Sequence, residues 1–179
     1  MLQKLHPEAK KFEWFDFLKR GGSGNNPPAT DGPHLDYYQD WAQGQVYRDM
    51  EAQTSDADIP DLVIGVWRPC MMKNPVYDYP FVYCSADTFK ESAMVRFEQE
   101  FSHKTPRGVE DVKNLAAHLH FEEGQKWFYH PEQTCKEVLL FRHYTKAEFK
   151  ANVHCAIKQE LPKGNETRRS MENRVMIWF

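Results

Sequence analysis

Three short segments of this 179-residue chain carry residue types able to do chemistry together: His34-Leu35-Asp36, Val153-His154 and Arg168-Arg169-Ser170. On a strand, alternate side chains point to the same face, so His34 and Asp36 can close on one ion. His154, far downstream, is placed to supply a third ligand. Two imidazoles and one carboxylate leave coordination positions open, which suits non-haem Fe(II) oxygen chemistry. Arg168 and Ser170 again share a strand face, so the guanidinium can grip a carboxylate in two-pronged fashion while the hydroxyl donates beside it. Arg174 competes for that anchoring role.

The H-x-D pattern is weak by itself. With 8 His and 26 acidic residues, about one H-x-[DE] triplet is expected by chance, and the chain has four. His6-Pro7-Glu8 and His130-Pro131-Glu132 have proline in the middle, which argues for a turn or helix start. His120-Phe121-Glu122 runs into a turn at Glu123-Gly124. Only His34-Leu35-Asp36 follows a Gly-Pro loop exit with enough chain after it to build a barrel before a third ligand. His118 and His120 alternate on one strand, but no carboxylate or third histidine has suitable spacing, so they read as cavity-wall or surface residues.

The elements that must position these groups are mostly strands. Strands are expected at His34–Tyr38, Leu62–Trp67, Phe81–Cys84, Leu115–Phe121, Lys126–Tyr129, Val138–Tyr144, Phe149–Ile157 and Ser170–Phe179. Pro7–Lys19 has Phe12, Phe15 and Leu18 at helical spacing and predicts a helix ended by Gly21-Gly22. A short helix is expected around Val46–Ala52, and Ser102–Lys113 reads as an exposed loop. Many short strands with few helices make a mainly β sandwich or barrel. The 12 Phe, 8 Tyr and 5 Trp favour strands and core packing, with Trp67, Trp127, Phe128 and Tyr129 expected inside. A net charge of −3 without a basic run gives no footprint for nucleic acid. Four cysteines without C-x-x-C spacing read as reduced thiols of a cytoplasmic protein, and the sequence suggests neither a membrane span nor a signal peptide.

An ordered set of segments resembles the hydroxylase/desaturase family of fungal and bacterial oxygenases, which includes the cephamycin 7-hydroxylation protein, a gibberellin desaturase and aspergillic acid hydroxylase. The set comprises His34-Leu35-Asp36-Tyr37, Val66-Trp67-Arg68-Pro69, Pro80-Phe81-Val82-Tyr83-Cys84, Lys126-Trp127-Phe128-Tyr129, Glu137-Val138-Leu139-Leu140-Phe141, Val153-His154 and Arg168-x-Ser170-x-Glu172-x-Arg174. The resemblance implies a double-stranded β-helix (a jelly roll, cupin-like) over residues 34–179, with 1–33 a helix and loop packed on it. It implies Fe(II) on His34, Asp36 and His154, 2-oxoglutarate on Arg168 and Ser170, and dioxygen-dependent hydroxylation or desaturation of a small secondary metabolite.

Two departures from the family pattern stand out. Gln125 occupies the turn where the family has a His; an amide can exchange hydrogen bonds but cannot titrate. Only 33 residues precede His34, so shielding of the site falls to Gln39–Pro60, to Ser102–Lys113 or to a second subunit. The stripe of Phe12, Phe15 and Leu18 beside Trp14 fits either a helix covering its own barrel or a homodimer interface. The other function class is a metal-binding, cupin-like isomerase, cyclase or binding protein that does not use 2-oxoglutarate.

Overall fold

The computed structural model describes residues 1–21, 29–37, 59–105, 108–148 and 150–179; for residues 16, 98–105 and 108–115 it describes the backbone alone. Its strands are β1 (Lys11–Arg20), β2 (His34–Leu35), β3 (Leu62–Pro69), β4 (Phe81–Cys84), β5 (Met94–Thr105), β6 (Gly108–Leu119), β7 (Trp127–Tyr129), β8 (Leu139–Thr145), β9 (His154–Ala156) and β10 (Ser170–Trp178). They form two sheets, of order β1-β10-β3-β8 and β5-β6-β2-β9-β4-β7. Strands distant in sequence sit side by side, as β10 does between β1 and β3. That arrangement is the jelly roll, or double-stranded β-helix.

Strand β3 lies inside its sheet, which explains why it reads as a nearly continuous apolar run instead of alternating. Val63 faces a cluster with Tyr37, Ile59, Tyr144 and Met176, while Leu62 and Ile64 face another with Leu2, Val175 and Ile177. Trp67 of β3, Phe81 of β4 and Phe141 of β8 meet in a third cluster that joins the two sheets. On the second sheet, Leu35 packs with Cys84, Ala117 and Val153. Its neighbour His34 is turned the other way by strand alternation.

The N-terminal helix expected over Pro7–Lys19 is instead strand β1, hydrogen-bonded along its length to β10. The helical spacing had a different cause. The β1–β10 register shifts between Phe15 and Phe17, so residue 16 is an extra residue in the ladder. Phe15 and Leu18, three apart, therefore share a face although both are in a strand. The aromatic content of the segment favours the strand. The helices described are the single turn α1 (Leu2–Leu5) and a 3-10 turn at Glu91–Ala93.

The expected loop Ser102–Lys113 belongs to a long hairpin, with β5 and β6 paired from Met94↔Leu119 to Thr105↔Gly108. Strand β2 ends at Leu35 and the chain bends at Asp36. Phe128 and Tyr129 are exposed at 46% and 51%, outside the core expected for them, because β7 is an edge strand. The helix expected at Val46–Ala52 lies outside the described residues. Among the described residues, no helix is long and apolar enough to cross a membrane.

Candidate metal centre

His34 and His154 are directly opposed partners on the antiparallel β2–β9 ladder. Opposed residues on neighbouring strands project to the same face, so the two rings meet with centroids 4.5 Å apart. Asp36, just past the end of β2, completes the group. Its Oδ1 lies 3.7 Å from His34 Nε2 and its Oδ2 3.5 Å from His154 Nε2. The three ligand atoms lie within 4.8 Å of one another.

Backbone carbonyls fix both rings. His34 Nδ1 donates to the Gly32 carbonyl at 2.6 Å, and His154 Nδ1 donates to the Asn152 carbonyl at 3.1 Å. A carbonyl can only accept, so in the neutral rings the proton sits on Nδ1 and both Nε2 lone pairs point towards Asp36. Asn152 is itself tied down: its Oδ1 accepts from the Arg142 amide, and its Nδ2 donates to the Cys84 carbonyl. Phe81 stacks on His154 (5.4 Å, 15°) and Phe141 packs beside it at 4.7 Å, giving the site an apolar wall.

Behind Asp36 lies a buried polar cluster. His143 sits between two carboxylates, with Nδ1 3.3 Å from Asp36 Oδ2 and Nε2 3.2 Å from Glu172 Oε1. Arg174 spans the same pair, at 3.2 Å from Asp36 Oδ2 and 3.6 Å from Glu172 Oε1, and donates to the Tyr37 hydroxyl at 2.8 Å. A register shift in the β3–β8 ladder leaves His143 as the extra residue between Arg142 and Tyr144, turning it inward. Gly65 makes room for it: a Cβ there would overlap the Phe141 ring and come within 2.7 Å of His143 Nε2.

The electrostatics follow from burial and pairing. Burial, then the neighbouring His154, lowers the His34 pKa to about 4, so the ring is neutral near pH 7. Burial pulls His154 down as well, but the hydrogen bond and charge of Asp36 outweigh it and the net shift is upward. Burial alone would raise the Asp36 carboxyl; Arg174, His154 and His34 together hold it well below the usual carboxylate range. Glu172, equally buried, is held down to about 2 by the hydrogen bond from His143 and the charge of Arg174. Burial lowers the His143 pKa.

A small cleft opens from His34 and His154, and its lining includes Arg20, Trp67, Phe81 and Arg168. Arg168 is buried; its NH1 donates to the Tyr79 carbonyl at 2.6 Å, and its guanidinium lies 5.6 Å from the Trp67 ring. Tyr79 presents that carbonyl from a left-handed backbone (φ 46°), a strained conformation of the sort found at ligand clamps. Ser170 is 1% exposed, and its Oγ has no hydrogen-bond partner among the described residues. A buried hydroxyl left unpaired costs about 1–3 kcal/mol, so a ligand oxygen placed there would be favoured.

The structure thus brings His34, Asp36 and His154 together and puts Arg168 in the adjoining cleft, while Ser170 is buried at the start of β10 and is not among the cleft-lining residues. Arg174 goes instead to Asp36 and Glu172. Gln125 donates to the His120 carbonyl and accepts from Trp127 Nε1, so its amide ties a turn. His118 stacks on Phe97 at 4.5 Å and donates to the Pro33 carbonyl. His143 and Glu172 were not among the candidates. Glu172 had a signal, since Ser170, Glu172 and Arg174 alternate on one face of a strand ending in apolar residues; His143 had none, because a bulge aims it.

Fold and cluster together define a β-jelly-roll with a two-histidine, one-carboxylate centre. The same fold occurs in the iron and alpha-ketoglutarate-dependent endoperoxidase NvfI, at TM-score 0.77 and 20% identity, covering 99% of this chain and 66% of that one. A different conformation of that enzyme matches at TM-score 0.75 and a Trp-to-Phe variant at 0.74, each at 20% identity, covering 98% of this chain and 64% of the other. This chain therefore spans a little under two thirds of the length of those proteins. No curated protein matches the sequence. A family described as an oxidoreductase/YMDC permease-like domain matches residues 1–178, and the chain belongs to that family.

Proposed function

We propose that the chain is an Fe(II)- and 2-oxoglutarate-dependent oxygenase that hydroxylates or desaturates a small molecule of the secondary-metabolite kind. One observation carries this reading: two imidazoles and a carboxylate converge at one end of a cleft whose lining includes a buried arginine, Arg168. His34, Asp36 and His154 would hold the metal. Neutral imidazoles with one carboxylate suit Fe(II) and leave positions for a keto acid and dioxygen. When bound, iron and keto acid supply the oxidising power for attack on a C–H bond. Arg168 and Ser170 would hold the far carboxylate of 2-oxoglutarate.

The remaining work is placement. The Nδ1–carbonyl bonds keep both imidazoles aimed, and Arg174 keeps Asp36 ionised without metal. Trp67, Phe81 and Phe141 keep water from the inner wall. The likeness to hydroxylase/desaturase segments supports the reaction class. Residues 34–179 would carry the catalytic barrel, and 1–33 adds an edge strand to it. Edge strand β1 exposes Trp14 and Phe17, a surface on which a second copy could pair as a homodimer. Four free cysteines fit a cytoplasmic setting.

The test is succinate release from 2-oxoglutarate by the Fe(II)-loaded chain in air, alone and with a panel of small metabolites. Oxygen-dependent succinate lost in His154→Ala supports the reading. A chain that binds metal but releases no succinate under any of these conditions belongs with non-oxidative, cupin-like metalloproteins.

A further inference from the structure

Arg168 precedes the start of β10, so its backbone lies outside the β10–β3 ladder, which begins at Ser170. Its place is set from elsewhere, by the segment Asp78-Tyr79-Pro80-Phe81 that leads into β4. Asp78 is buried, and its Oδ1 accepts from the Arg168 amide at 2.8 Å. Tyr79, the next residue, accepts from Arg168 NH1 through its carbonyl at 2.6 Å. One short segment therefore grips both the backbone and the guanidinium of the same arginine. Gly21 closes from another side, since a Cβ there would overlap the Arg168 carbonyl oxygen.

This grip strains the segment that makes it. Tyr79 has φ +46°, which an L-residue rarely adopts, and the proline after it favours an extended conformation instead. Such a conformation persists only where its surroundings over-determine it. Phe81 holds the far end: it pairs with Ala156 of β9 and stacks on His154. Four consecutive residues thus run from the buried arginine to a candidate metal ligand. Asp78 gives its Oδ1 to the amide and leaves the guanidinium to the cleft. Among the described residues no carboxylate forms an ion pair with Arg168, which lies over Trp67 and lines the cleft.

We propose that Asp78 is a positioning residue for the keto-acid co-substrate: by holding the Arg168 amide it aims the guanidinium at the distal carboxylate, at a spacing from the metal ligands kept through Phe81. This rests on the oxygenase reading above. The role is placement and not charge. Burial, then Arg20, lowers the Arg168 pKa to about 10 against the pull of Asp78 and Glu172, so the guanidinium is a cation at pH 7. A side-chain amide at position 78 offers the same acceptor oxygen, whereas a methyl group offers none. With the amide released, residue 168 can drift, and a two-pronged bond to a carboxylate tolerates little misalignment.

The experiment is calorimetric titration of the chain, loaded with Fe(II) without oxygen, with 2-oxoglutarate and with 2-oxopentanoate, which has the same carbon chain but no distal carboxylate. Asp78→Ala should weaken 2-oxoglutarate binding about 10-fold or more and leave 2-oxopentanoate within about twofold. Asp78→Asn should keep the preference for 2-oxoglutarate within about threefold of wild type. A residue that only supports the fold would change both affinities together or neither, so their ratio is the readout, with circular dichroism checking the sheet. If Asp78→Ala does not fold, Asp78→Ser, whose side chain is too short to reach the amide, takes its place with the same expectation. An unchanged preference in the alanine or serine variant, equal loss for both acids, or an equal loss of preference in Asp78→Asn overturns the inference. A wild-type chain that binds neither acid refutes the oxygenase reading itself, a result visible before any variant is made.

Discussion

Replacing Glu172 with Gln removes one charge from the cluster behind Asp36 while keeping the side chain's shape. The Glu172 carboxyl is held at about 2 in the folded chain against an ordinary 4.5, by the His143 hydrogen bond and Arg174 acting against burial. Its side chain is only 11% exposed, so solvent screens these interactions little. A depression of that size corresponds to roughly 3 kcal/mol favouring the ionised folded state. Because the folded pKa lies below the unfolded one, this stability is fully present above about pH 4.5 and is lost as pH falls towards about 2. Metal-free Glu172→Gln should therefore be less stable than wild type by roughly 3 kcal/mol at pH 7, or about 6–12 °C in Tm for a domain of this size. Urea unfolding of both proteins at intervals from pH 7 to pH 2.5 measures the difference directly. It should shrink steadily below pH 4.5. A gap that stays constant across that range would show that the loss comes from packing and would refute the charge argument.

The other expectations concern metal, co-substrate and core. His154→Ala should lower Fe(II) affinity by more than about 100-fold while the circular dichroism spectrum is unchanged, since the ring would supply one of the three proposed ligands to a partly open site; retained tight binding in calorimetry would dissolve the proposed centre. Arg168→Ala should weaken 2-oxoglutarate binding by roughly 2–5 kcal/mol and spare metal affinity, whereas Arg174→Ala, which removes the cation that keeps Asp36 ionised, should weaken the metal first. The reverse pattern in paired titrations would exchange the two roles. Metal affinity should fall as pH drops through the raised pKa of His154, because a proton on Nε2 competes with the ion; a pH-independent affinity would place His154 outside the metal shell. Gly65→Ala should cost about 1–3 kcal/mol in chemical denaturation through overlap with Phe141 and His143, and wild-type stability would mean that β8 can move aside.

Residue type and local periodicity determined a good deal about this chain. The apolar run Leu62–Trp67, the aromatic strand Phe81–Cys84 and the polar alternation of Ser170, Glu172 and Arg174 each follow from which face a strand must bury. His34 and Asp36 stood out as candidates because theirs is the one H-x-[DE] triplet of four that follows a Gly-Pro exit with enough chain after it for a third ligand. What the sequence could not determine is register. Whether His154 opposes His34 depends on how β2 and β9 align after more than a hundred intervening residues. The bulges at residue 16 and His143 each exchange the faces of a strand with no local signature. The first disguised a strand as a helix and turned Arg20 inward; the second brought His143 between Asp36 and Glu172. Pairing across sheets is chosen by the total packing of the barrel, since a one-residue slip would carry every buried side chain to the solvent face. The candidate ligand set could therefore be proposed from residue types, while the groups that hold and charge it were decided only when the sheets closed.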